Sequence, residues 1–128
     1  MSGGPLYDGF VPGRYEIDAY GNGGFRFAGM SHRGSILALP SGIKAWPIGS
    51  MKELSDEALD PILAEAEEIE LLLFGTGADI AALPGGFRER FREAGIGLDV
   101  MQTGAAARTY NILLAEKRKV AAALIAVD

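Results

Sequence analysis

Two apolar runs in the second half of the chain each stop at small residues and continue into helical sequence. The first is LLLFGTG at residues 71–77, and the second lies within DVMQTGAAARTYNILLAEKR at residues 99–118. A continuous apolar run is typical of a parallel strand that is buried on both faces. In α/β sheets the strand carboxyl ends and helix amino ends converge at one edge, where ligands commonly bind. We therefore expect an α/β fold with a candidate site at that edge.

The second half of the chain alternates between strand and helix patterns. The predicted elements are a strand at 69–74, a helix at 84–94, a strand at 96–101, a helix at 103–119 and a strand at 120–127. This order predicts a parallel or mixed sheet that is flanked by helices. An earlier helix is predicted after Ser55, which is suited to an N-cap. Because of Pro61, this helix either starts at Asp60 or kinks at the proline.

The first half of the chain reads as two pairs of strands. Apolar and polar residues alternate at 14–19 and again at 25–27, and the glycine-rich residues 21–24 between them predict a hairpin. Residues 35–39 and 43–48 are a second predicted pair of strands around a Pro-Ser-Gly turn.

Length and composition indicate an ordinary globular protein. Residues 1–13 hold four glycines and two prolines, so we expect a flexible segment there and a single α/β domain at 14–128. There is no cysteine, which excludes disulfides and thiolate metal sites, and the lone His32 gives no partner for a metal. The amino end lacks the pattern of a secretory signal, and no apolar run approaches the length of a membrane helix. We expect a soluble, cytoplasmic protein without a metal or cofactor.

The negative charge is concentrated in one part of the chain. Residues 53–79 carry nine acidic groups and no basic one, within a net charge of −5. Such a block repels phosphate backbones, so nucleic acid is not an expected partner. The block is either a solvated helix face or a docking surface for a basic partner.

The turn after the first buried strand is the first part of the candidate site. Gly75 and Gly77 permit positive φ angles, so the amides around Thr76 could point into a shared pocket. A dinucleotide fingerprint would need a third glycine where Ile80 stands, and Asp79 would oppose a bound anion. This turn is therefore either structural or a ligand loop.

The start of the long helix is the second part. Thr103 is a natural N-cap, and Gly104 and Ala105 leave the helix amino end open either to a small anion or to close packing. Arg108, Tyr110 and Asn111 then supply a cation, a phenol and an amide. Arg108 could bind a carboxylate that Asn111 orients. Alternatively, Arg108 is solvated, Tyr110 is buried and Asn111 bonds to backbone. No side chains form a convincing catalytic pair, so no catalytic residue is predicted.

These motifs resemble a family. The matching residues are Gly75-Thr76-Gly77, Asp99 to Thr103, Ala105-Ala106, Arg108 to Asn111 and Glu116 to Val120. The pattern is similar to a small α/β domain family of unknown function, whose members include archaeal structural-genomics proteins, a human adipogenesis-associated protein and a mitochondrial assembly factor for respiratory complex I. The family's usual acidic residue before its helix threonine is replaced here by Gln102, which argues against a carboxylate role at that position.

The resemblance implies a three-layer α/β fold. Its centre would be a mixed, mostly parallel sheet of about five strands flanked by helices, with an additional N-terminal β-hairpin or small sheet packed alongside. The resemblance implies no established reaction, so no catalytic role can be transferred to any residue of this chain.

Two hypotheses of function follow. The first is a non-enzymatic, protein-binding assembly factor, whose partners would include respiratory complex I subunits or their assembly factors at the inner membrane. The second is a small-molecule binding protein or enzyme with an anion site between the Gly75–Gly77 turn and the start of the Thr103 helix. Homodimer formation is compatible with both, and the sequence does not decide it.

Overall fold

The computed structural model describes residues 9–128 and has a mixed α/β architecture. The predicted flexible segment lies mostly outside these residues, although its residues 10–12 form a strand. The strands are β1 (Phe10–Pro12), β2 (Ala19–Gly21), β3 (Gly24–Phe27), β4 (Met30–Arg33), β5 (Ser35–Leu39), β6 (Gly42–Trp46), β7 (Leu71–Gly75), β8 (Gly97–Met101) and β9 (Val120–Leu124). The α-helices are α1 (Asp56–Leu63), α2 (Gly85–Glu93) and α3 (Thr103–Ala115).

A six-stranded sheet in the order β1-β6-β5-β9-β7-β8 forms the centre of the domain. The neighbours β9, β7 and β8 run parallel, as the strand–helix alternation predicts. The pairings of β5 with β9, β5 with β6 and β1 with β6 are antiparallel. The mixed α/β class is therefore confirmed, but the sheet has six strands and is not mostly parallel. The reason is that the β5–β6 hairpin joins the free edge of β9 and extends the same sheet.

Three of the five residues of the central strand β9 are alanines. Its sequence VAAAL is buried throughout, with Ala121 and Ala123 packed in one apolar cluster and Ala122 in the other. The first cluster includes apolar side chains of α1 and α2, and the second includes those of α3 and β3. Methyl side chains on both faces of a central strand allow the covering elements to approach closely.

A second sheet of three antiparallel strands, β2-β3-β4, packs through Phe25 and Phe27 into the cluster that contains α3. Asn22 and Gly23, at φ 53° and 80°, form the two-residue turn between β2 and β3, a geometry that matches the twist of a hairpin. The first strand of this hairpin, β2, begins only at Ala19 and not at residue 14 as predicted. The strand β4 was missed because its sequence MSHR is mostly polar and resembles a turn.

His32 lies in β4 and not in an exposed loop as its sequence context suggests. It is half-buried, and its Nε2 atom is 3.2 Å from the Ser35 carbonyl oxygen. Burial lowers the pKa of His32, and the bond to the Ser35 carbonyl partly opposes this effect.

The helix α1 starts where the sequence predicts. The Ser55 hydroxyl accepts a hydrogen bond from the Ala58 amide at 3.2 Å, so Ser55 is the N-cap. The helix contains Pro61, and the alternative start at Asp60 is wrong. The helix α3 ends at Ala115, four residues before the predicted end at Lys119, and Lys117 adopts a φ of 62°.

The substitution Ser55→Ala should lower the free energy of unfolding by about 1 kcal/mol, because it removes the cap bond to the first turn of α1. Urea denaturation followed by circular dichroism measures the change. Ser50→Ala is the matched control, since Ser50 precedes a short 3-10 helix at 51–53 without any side-chain cap bond. Equal effects of the two substitutions would contradict the capping role.

Candidate functional site

The turn after β7 and the start of α3 are joined by reciprocal hydrogen bonds. The Gly77 amide donates to the Thr103 hydroxyl at 3.0 Å, and the Thr103 amide donates to the Gly77 carbonyl at 2.9 Å. The Thr103 hydroxyl then donates to the carbonyl of Ile125 at 2.6 Å. Thr103 is fully buried and is the first helical residue, while Gln102 occupies the cap position without a side-chain bond. The two predicted parts of the site are therefore adjacent, and their polar groups bond to each other.

The neighbouring groups in this turn are also engaged within the protein. The Thr76 amide donates to the Met101 carbonyl at 3.0 Å, and the Thr76 hydroxyl donates to the Asp79 carbonyl at 2.8 Å. A Cβ atom on Gly75 would lie 2.8 Å from the Thr103 Cα, so only glycine allows the strand and helix to approach this closely. The turn thus uses its glycines and amides for close packing of the sheet and α3.

An open groove of about 310 Å³ runs beside the first turns of α3, and we call it the α3 groove. Its lining residues are Ile17, Asp18, Ala19, Tyr20, Gly104, Ala107, Arg108 and Asn111. Gly104, Arg108 and Asn111 were among the predicted site residues, whereas Asp18 and Tyr20 were missed. The sequence around Asp18 and Tyr20 does not indicate that they lie beside α3, because they are more than 80 residues earlier in the chain. The Tyr20 phenol packs so closely over Gly104 that a side chain there would displace it.

Asn111 attaches the N-terminal segment to α3. Its amide nitrogen donates to the Ile17 carbonyl at 2.8 Å, and its amide oxygen accepts from the Ile17 amide at 2.8 Å. These are the two bonds that a neighbouring β-strand would make with Ile17. Asn111 therefore has a structural partner and forms one wall of the α3 groove.

Tyr110 is separated from the groove. Its side chain is 1% exposed and packs among apolar residues of the cluster that contains α3 and β3. Burial raises the pKa of Tyr110 to about 12, and the Arg14 guanidinium opposes this rise by favouring the phenolate. Ala105 is half-buried and does not line the groove.

The charges in the α3 groove are one cation and one carboxylate. Arg108 and Asp18 are both exposed, and the phenol of Tyr20 adds a hydrogen-bond donor. Among residues 9–128, the lining of the groove includes no serine, histidine or lysine. Among residues 9–128, no group of three or more His, Asp or Glu side chains is arranged to hold a metal ion. No helix in that range is long and apolar enough to cross a membrane.

The sequence profile of a family described as "protein of unknown function (DUF498/DUF598)" matches residues 17–125. The chain belongs to this family. The match includes the Gly75–Gly77 turn, the whole of α3 and the segment that Asn111 holds. The resemblance seen in the motifs is therefore confirmed.

Three relatives illustrate the family. An uncharacterized protein of Rhodobacter capsulatus is 40% identical over 94% of this chain and 91% of its own length. The NADH dehydrogenase [ubiquinone] 1 alpha subcomplex assembly factor 3 of Danio rerio is 37% identical over 85% of this chain and 63% of its own length. A crystal structure described as an outer membrane protein of Bartonella henselae has a TM-score of 0.88 and 52% identity, with coverage of 91% of this chain and 98% of that chain. The chain thus spans less than two thirds of the Danio rerio assembly factor.

Replacing Thr103 by valine should lower the free energy of unfolding by roughly 2–4 kcal/mol, because the buried Gly77 amide and Ile125 carbonyl both lose their partner. Thr109→Val is the control. Thr109 is half-buried, and within residues 9–128 its hydroxyl has one weak hydrogen bond, to the Met101 sulfur at 3.7 Å, so its loss should change stability by less than about 0.5 kcal/mol. Urea denaturation of both variants tests the prediction, which fails if Thr103→Val is as stable as Thr109→Val.

The stability of the protein should depend on Tyr110 at alkaline pH. A phenol with a raised pKa in the folded state stays protonated while the unfolded chain ionises, which disfavours folding. The contribution of Tyr110 to the free energy of unfolding is complete below about pH 10. It decreases by roughly 2–3 kcal/mol as the pH rises to about 12. Denaturation of the protein and of Tyr110→Phe across this range measures the difference. A constant difference from pH 9 to 12 would contradict the buried phenol.

Proposed function

We propose that this protein is a non-enzymatic protein-binding domain that acts as an assembly factor in the biogenesis of respiratory complex I. The supporting observation is that almost the whole domain is shared with proteins named as complex I assembly factors. The similarity extends over 85% of the chain in both the Danio rerio and the Homo sapiens proteins, at 37% and 30% identity. The 109 residues aligned to each of these proteins make up most of the domain and are not a local motif.

The geometry of the predicted anion site argues against the alternative hypothesis that places an anion there. The amides of Thr76 and Gly77 donate to groups of the protein, and the Thr103 hydroxyl has both a donor and an acceptor. A ligand at this point would have to displace those bonds. For the alternative, a small-molecule binding protein or enzyme, the open α3 groove offers a site with Arg108 as its cation.

The proposed location is the cytoplasm, with attachment to the inner membrane through a partner. An assembly factor for complex I must reach subunits that are being inserted at that membrane. The Bartonella henselae relative is described as an outer membrane protein. Fractionation of cells into soluble, inner-membrane and outer-membrane material separates these locations.

The acidic block of residues 53–79 contains both neutralised and free carboxylates. Arg90 lies 3.0 Å from Asp56 and 3.5 Å from Asp60, and Arg118 lies 2.9 Å from Glu70. Glu67 and Glu68 are exposed in a short 3-10 helix at 66–68. A basic partner could reach them, as it could the exposed Glu57 and Asp79 of the same block.

The region around Trp46 is less suited to docking. Trp46 is 3% exposed, and its indole N–H donates to the Ala58 carbonyl at 2.9 Å. Its ring also packs edge-on against Phe74 at a centroid distance of 5.7 Å. These contacts place the indole in the core that joins α1 to the large sheet.

Deletion of the gene from its native host should lower the level of assembled complex I and its NADH:ubiquinone activity. Affinity purification of the tagged protein after mild cross-linking should recover complex I subunits or membrane-insertion factors. The measurements are native gel electrophoresis of membranes and mass spectrometry of the purified material. Normal complex I in the deletion strain would contradict the proposed role.

The double substitution Glu67→Lys and Glu68→Lys should reduce this recovery if the acidic block is the docking surface. Arg108→Ala is the comparison, because it changes the charge of the α3 groove and leaves the block intact. Loss of recovery with Arg108→Ala alone would instead assign the partner to the groove.

A further inference from the structure

A groove of about 410 Å³ crosses the exposed face of the three-stranded sheet, and we call it the arginine groove. Its middle is lined by small residues, which include Ala19, Gly21, Gly24 and Ser31. A Cβ atom on Gly24 would collide with the backbone carbonyl of His32, so the floor at this position has to remain bare. The groove is therefore a permanent feature of the way β3 and β4 pair.

Two arginines project from the same face of this sheet. Arg26 on β3 pairs with Ser31 on β4, and Gly24 pairs with Arg33, so the arginines are diagonal neighbours. In an antiparallel pair, diagonal neighbours on one face are about 7–8 Å apart. Both arginines are exposed, whereas Phe25 between Gly24 and Arg26 is 2% exposed and points into the core.

The charge of the groove is opposite to that of the protein. Among residues 9–128, the charged side chains that line it are Arg26 and Arg33 and none is a carboxylate, although the chain has a net charge of −5. Within residues 9–128, neither arginine forms an ion pair. Asp18 and Arg26 both line a neighbouring hollow, and no ion pair joins them. The guanidinium groups are therefore available to an external anion.

We propose that the arginine groove binds an extended acidic segment of a protein partner, in which two carboxylates are separated by one residue. Side chains at i and i+2 of an extended chain point to the same side and are about 6.6–6.8 Å apart. This spacing matches the diagonal distance between the two arginines. Each guanidinium can donate two parallel hydrogen bonds to one carboxylate, and the absence of side chains at Gly24 and Gly21 leaves room for the peptide backbone.

This inference rests on the proposed protein-binding function, because it assigns a surface and a partner chemistry to it. It does not depend on complex I. If the purified protein binds the acidic peptide and the deletion strain has normal complex I, the proposed groove is supported and only the complex I role is contradicted. The reverse result would retain the assembly role and reject only the groove.

The probe is a nine-residue peptide of alternating glutamate and threonine, titrated into the 15N-labelled full chain at about 50 mM salt. We expect shifts of the backbone amides of β3 and β4 and saturable binding. Arg26→Gln combined with Arg33→Gln should weaken binding roughly tenfold. Arg88→Gln is the matched control, because Arg88 is exposed on α2, on the other face of the large sheet, and should change affinity by less than about twofold. Circular dichroism verifies that all variants are folded.

A second pair of measurements separates this proposal from a site for small anions. The first uses a peptide of the same composition with its glutamates in one block, which should bind more weakly than the alternating peptide. The second adds inorganic phosphate at equal ionic strength, which should not displace the alternating peptide. Arg26→Lys with Arg33→Lys should recover only part of the affinity, because lysine cannot make the bidentate contact. Equal binding of both peptides, displacement by phosphate, or shifts centred on α3 would each overturn the proposal.

Discussion

The hydroxyl of Thr103 holds three parts of the chain at one end of the large sheet. It accepts from the turn after β7, donates to the carbonyl of Ile125 just beyond β9, and belongs to the first residue of α3. This arrangement requires glycine at position 75, where a larger residue would collide with Thr103. A single buried group thus fixes the direction in which α3 leaves the sheet. The α3 groove, the attachment of Asn111 and the burial of Tyr110 all depend on that direction.

The parts of the fold that sequence reasoning predicted are those with strong local patterns. The apolar runs that become β7 and β9 and the capped start of α1 are readable because burial and capping leave periodic or positional signals. The pairing of β5 with β9 has no such signal, since both are apolar strands that could belong to separate sheets. The six-stranded sheet and its antiparallel half therefore could not be derived from the sequence. The polar strand β4 was missed because its identity comes from pairing with β3.

The candidate site also has one part that the sequence predicted and one part that it did not. The proximity of the Gly75–Gly77 turn to Thr103 followed from the rule that strand ends and helix starts converge. Their hydrogen bonds to each other could not be predicted in this way, because a hydroxyl at the start of a helix can bond equally well to a ligand, to the helix or to a neighbouring strand. Asp18 and Tyr20 reach the groove through the attachment of Ile17 to Asn111, a contact across 94 residues. No spacing within the sequence encodes such a contact.

The attachment of Ile17 to Asn111 uses the backbone of one partner and the side chain of the other. A side-chain amide that bonds to a peptide group does not distinguish between the residue types that carry that group. The segment before β2 can therefore change its amino acids and remain attached, provided that position 17 stays apolar and position 111 stays an amide. One wall of the α3 groove can thus carry different side chains while its position stays the same. Relatives with the same fold can in this way present different surfaces at the same place.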